Sequence, residues 1–136
     1  PVSIRAICRD DAVKRDLDLV RSLLLRIEEV PAGKAVLFET APTAEIDGHL
    51  LLLRQQGLIR IEQGPSTGSE GEWYMFAELT WAGHDFADSV RDEVIWKKTK
   101  EGVKAAGGFS FDLVKALAKG LVKKKIEKHT GVELEL

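Results

Sequence analysis

His84, Asp85, Asp88 and Asp92 fall within about two helical turns of one another, and imidazole and carboxylate are the groups that hold metals and move protons. On a helix His84 and Asp88 stand at i and i+4, which puts two possible metal ligands on one face. No third His or Cys lies nearby in sequence: His49 and His129 are distant, and Cys8 has no histidine beside it to make a nucleophile–base pair. A solvated acidic face next to a helix cap is the plainer reading, with His84 packing or capping locally. The stretch from Gly64 to Gly71 lacks the lysine and the following helix that a nucleotide cradle requires. The residues therefore predict no catalytic site, no metal site, no cofactor and no enzyme.

Binding chemistry is better represented. Base edges are read by Arg, Lys, Asn and Gln, often through two hydrogen bonds. The segment from Thr43 to Gln56 offers Arg54, Gln55 and His49 for that purpose, opposed by the repulsive Asp47. Arg60 could touch phosphate at a β-hairpin, although the hairpin tip carries Glu70 and Glu72 and no cation. Lys115, Lys119, Lys123 and Lys124 offer phosphate contacts further on, and a solvated helix face is the alternative reading of that run. A second chemistry is apolar. Leu51 and Leu52 cannot both join the stripe already filled by Leu50 and Leu53, and Tyr74, Phe76 and Trp96 could extend an exposed patch of the kind that marks protein interfaces.

The elements that must carry these residues follow from periodicity. Leu17, Val20, Leu24 and Ile27 recur at helical spacing, with Asp16 and Asp18 at the N-terminal end and Pro31 and Gly33 as the stop. Ala35 to Phe38 is a short strand candidate. Thr43 caps a helix through Gln56 whose inner face is Ile46, Leu50 and Leu53, and Gly57 suits its left-handed end. Ile59 and Ile61 alternate with Arg60 and Glu62 as a strand, and Trp73 to Leu79 is the returning one. Thr80 caps a long helix expected to continue from Trp81 through Trp96 and Val103 to Gly107–Gly108, with Phe86, Val90 and Val94 on one stripe. Ser110 starts a last helix with an apolar seam of Val114, Leu117 and Leu121, ended by Thr130–Gly131.

With 136 residues, 44% of them hydrophobic and 31% charged, the chain has ordinary globular composition and room for one core. A net charge of −2 conceals a division. Residues 41–96 hold 3 Lys/Arg against 10 Asp/Glu, whereas residues 97–136 hold 10 against 5. No apolar run approaches membrane-spanning length, so no membrane association is expected. The single cysteine excludes an internal disulfide and fits a cytoplasmic location.

Three segments carry a resemblance: Lys14 to Arg21, His49 to Ile59, and Leu79 to Phe86, with Arg91 to Lys100 similar as well. They resemble a family of phage- and prophage-associated proteins of unknown function, over roughly residues 14 to 128. Members of that family start near the Lys-Arg-Asp segment, so Val13 reads as a start and residues 1–12 as an extension. More broadly, His49, Leu50, Leu53, Gly57 and Leu58 are similar to the His-Leu-x-x-Leu-x-x-x-Gly-Leu pattern of bacterial winged-helix repressors, in which the outer side of this helix enters the major groove and the wing touches the backbone.

The expected architecture is α+β: a winged helix-turn-helix with a two-stranded wing and two additional C-terminal helices. The expected divisions are an N-terminal extension at 1–13, a winged-helix core at 14–80, a helical extension packed on it at 81–130 and a tail at 131–136. The expected function is non-enzymatic: a DNA-binding regulator of a phage or mobile element, acting on double-stranded DNA as a homodimer. The alternative is a protein-interaction or dimerisation module with an acidic wing.

Overall fold

A computed structural model describes residues 14–38, 42–63, 73–107 and 110–135. The expected extension with Cys8, the hairpin tip with Glu70 and Glu72, and Gly108 lie outside the described residues. The fold is mixed α+β. Its described elements run α1 (Leu17–Glu28), β1 (Val36–Phe38), α2 (Ala44–Gln55), β2 (Ile59–Gln63), β3 (Trp73–Leu79), α3 (Trp81–Val90), α4 (Glu93–Ala105) and α5 (Phe111–Thr130). The chain divides into two compact units, Pro1–His84 and Asp85–Leu136, so the boundary falls inside α3, beyond the position 80 expected from sequence.

In the first unit, α1 packs against α2 and β3, and α2 against β2. Its core is Val20, Leu23, Leu24, Ile27, Val36, Leu50, Leu53, Leu58, Ile59, Ala77 and Leu79. Full burial of each leucine here stabilises by about 1.5–3 kcal/mol. The β2–β3 hairpin is antiparallel, pairing Ile59 with Leu79, Arg60 with Glu78 and Ile61 with Ala77. β1 pairs with the other edge of β3, Val36 opposite Met75, so the sheet order is β1-β3-β2 and the sheet has three strands. Helix ends are closed as their residue types dictate. The Asp16 carboxylate accepts from the N–H groups of Asp18 and Leu19, and the Thr43 hydroxyl from that of Ile46. Each such cap stabilises by about 1 kcal/mol. Gly57 takes φ 72°, the left-handed conformation that lets the chain leave α2 and return Leu58 beneath it.

The second unit is helical among its described residues. The long helix expected from Trp81 to Val103 is instead two. α3 ends at Val90, and Asp92 turns the chain by accepting from the N–H groups of Val94 and Ile95 at the start of α4. An aspartate that can bond two backbone donors competes with continued helix. The break shifts the register: Phe86 and Val90 are buried as expected, but Val94 is 62% exposed. Trp96, Thr99, Val103, Phe111, Val114 and Ala118 form the buried layer between α4 and α5, with the Phe86 and Phe111 rings 4.9 Å apart. Of the expected α5 seam, Val114 is fully buried while Leu117 and Leu121 are half-buried.

Candidate functional site

His49 was expected among the residues that contact DNA. It is fully buried instead. Its Nε2 accepts the backbone N–H of Asp16 at 2.8 Å, and its Nδ1–H donates to the Glu45 carbonyl at 2.7 Å. A backbone N–H only donates and a carbonyl only accepts, so both ring nitrogens are committed and the imidazole is the neutral Nδ1–H form. His49 is a tie between the cap of α1 and the first turn of α2, and it has no surface to offer a ligand. The capping position leaves an N–H of Asp16 to satisfy inside the fold, and burying it unmade would cost about 1–3 kcal/mol.

Arg54 and Gln55 are exposed on the last turn of α2, together with Gln56. Glu45 and Asp47 occupy the first turn, so the helix is acidic at one end and cationic at the other. Arg60 lies opposite Glu78 across the β2–β3 ladder and forms an ion pair with it. A phosphate approaching Arg60 must therefore compete with a carboxylate already in place. Leu51 is 44% exposed, and Leu52 and Phe76 are half-buried. Tyr74 lies on β3 opposite Leu37, and its side chain falls outside the described residues. Trp96, expected at an interaction surface, is only 4% exposed: it faces inward on α4 with Ile95, Thr99 and Val103.

In the second unit Lys115, Lys119 and Lys123 recur every four residues along α5, about 6 Å apart along one ridge. Lys115 approaches Asp112 at 3.7 Å and lies over the Phe111 ring at 5.3 Å. Among the described residues, Lys119, Lys123, Lys124 and Lys128 have no ion-pair partner. Lys125 differs: its ammonium meets the Asp92 carboxylate at 2.6 Å. That contact first, and the N–H groups of Ile95 and Val94 with it, hold Asp92 down from its ordinary 3.8 to about 2.

The possible metal pair is engaged elsewhere. The His84 Nδ1 stands 3.8 Å from the Glu28 carboxylate, and Asp88 meets Arg91 at 2.6 Å. Among the described residues no group of three His, Cys, Asp or Glu side chains is arranged to hold a metal ion, and no helix is long and apolar enough to cross a membrane.

Trp81 was missed. It is 85% exposed, the most exposed of the large apolar side chains among the described residues. The signal was present in the spacing. Trp81 precedes Phe86 by five residues, which rotates it about 140° from the Phe86–Val90 stripe, off the face that α3 buries. Lys97, Lys98 and Lys104 on α4 are also exposed and extend the cationic surface of the second unit beyond α5.

No solved structure matches this chain. An uncharacterized protein of Haemophilus influenzae is 29% identical over 116 residues, covering 81% of this chain and 96% of that protein. The family model described as "Hypothetical protein (DUF2513)" matches residues 14–110, which takes in the first unit from α1 onward and reaches α4 and the cap of α5. The chain belongs to that family, the DUF2513 hypothetical proteins.

Proposed function

We propose that the protein is a non-enzymatic, winged-helix-type regulator that binds double-stranded DNA, working as a homodimer in a phage or mobile element. The observation that carries this reading is the ridge of Lys115, Lys119 and Lys123, where the last two have no carboxylate partner among the described residues. Unpaired ammonium groups at a regular pitch suit a polyanion whose counterions they displace. Support from the first unit is the order helix, strand, helix, hairpin, with Arg54 and Gln55 exposed at the end of the helix that would face the groove. In this reading the lysines provide affinity without sequence preference, while Arg54 and Gln55 contact bases or phosphates.

A salt series on random duplex DNA tests it. Affinity is expected to fall steeply with salt, and the Lys119→Ala/Lys123→Ala double variant should lower the slope of log affinity against log salt by about 1.8. Absence of duplex binding at low salt sinks the proposal. A protein-interaction reading is favoured by one observation, the 44% exposure of Leu51 on α2 with Leu52 beside it. Its mark would be a mass above one chain in light scattering that Leu51→Glu abolishes.

A further inference from the structure

An indole left in water forgoes one of the largest apolar gains available to any side chain. Trp81 is held in that condition by firm local bonding. Thr80 donates its hydroxyl to the Gly57 carbonyl and its N–H to the Leu58 carbonyl, and the Thr80 hydroxyl also accepts from Gly83. Gly83 lies so close to the Leu58 carbonyl that a Cβ there would sit 2.0 Å from its oxygen. The first turn of α3 is thus fastened to the C-terminal end of α2. Trp81 stands at the end of the first unit that carries Arg54, Gln55 and Gln56, away from Glu45 and Asp47. Glu78, two residues before Thr80, is neutralised by Arg60, and Arg54 has no ion-pair partner among the described residues. An exposed aromatic on a helix start fastened to the end of α2, the end that also carries the exposed Arg54, suits a ligand that offers a flat apolar face and an anion.

We propose that Trp81 is a stacking platform for an unpaired nucleobase, with Arg54 taking the adjoining phosphate. The inference rests on the nucleic-acid reading above and adds to it: the end of the first unit assigned there to a duplex would also take a strand that is locally unpaired. Bases within a duplex are stacked on one another and present only their edges in the grooves. A ring face is available where the strand is open, and stacking there is tolerant of sequence because every base has such a face.

The test titrates the full chain and its Trp81→Ala and Trp81→Phe variants with a short oligothymidine and with a duplex of equal length, following intrinsic fluorescence and anisotropy. The expected result is quenching of the wild-type emission by oligothymidine. Trp81→Ala should weaken that binding about tenfold or more, Trp81→Phe should retain most of it, and duplex affinity should be unchanged. Equal oligothymidine affinity in wild type and Trp81→Ala overturns the stacking site. So does a Trp81→Ala variant whose only change is a lower mass in light scattering, which would make the indole a contact between copies. Loss of duplex binding in the lysine double variant is read separately, so the stacking site can fail while the DNA-binding proposal stands.

Discussion

The two units use their polar side chains in opposite ways. In the first, helices, caps and strands meet in one layer, and the meeting points leave backbone groups that need partners. His49 is consumed by Asp16 and Glu45, and Thr80 by Gly57 and Gly83. Arg60 is taken up by its cross-strand neighbour Glu78. In the second, each helix satisfies its own interior backbone, and the exposed Lys119, Lys124 and Lys128 and the half-buried Lys123 are left without carboxylate partners among the described residues. A histidine or arginine in a mixed layer is therefore weak evidence of a site, whereas an unmatched row of cations on a helix is stronger evidence.

The sharpest way to break this comparison uses one glycine from each unit. A Cβ at Gly83 would meet the Leu58 carbonyl oxygen at 2.0 Å, and that oxygen accepts the Thr80 N–H. Backbone must move, so Gly83→Ala should destabilise by about 3 kcal/mol or more in denaturant unfolding. A Cβ at Gly102 would meet the Leu117 side chain, closest at its Cδ2, 2.7 Å away, the mobile end of that side chain. There the helix-propensity gain of alanine, about 1 kcal/mol, offsets the crowding, and Gly102→Ala should change stability by less than about 1 kcal/mol. Similar losses for the two variants would erase the distinction between a backbone-locked unit and a side-chain-packed one.

His49→Ala is next in size. It removes a buried ring and orphans the Asp16 N–H, and about 2–4 kcal/mol should be lost at neutral pH. A variant as stable as wild type would restore His49 to the list of residues available for binding. The smallest effect is acid sensitivity in the second unit. Because Asp92 is depressed from 3.8 to about 2, its contribution is complete above the unfolded value and is lost as pH falls from about 4 through about 2. Asp92→Asn should remove that part of the pH dependence of thermal unfolding, and an unchanged profile would show that Lys125 does not hold this helix start.

Local elements were largely legible. The caps Thr43 and Ser110, the left-handed Gly57 and the inner stripe of α1 follow from residue type and 3.6-residue spacing. The break at Asp92 was not, because Phe86, Val90 and Val94 keep helical spacing straight through it. Choosing between a cap and a continuing turn needs the pairing with Lys125, which comes from a distant part of the chain.

Composition and spacing by themselves determined the mixed α+β class, the order of helices and strands as far as the start of α3, and the apolar face of α1, because propensity, capping and periodicity act over a few residues. Tertiary structure alone decided that His49 and Trp96 are interior, that Arg60 is already paired and that β1 joins the hairpin. Burial and pairing depend on which distant backbone groups and side chains arrive at the same place, and no window of sequence contains that partner.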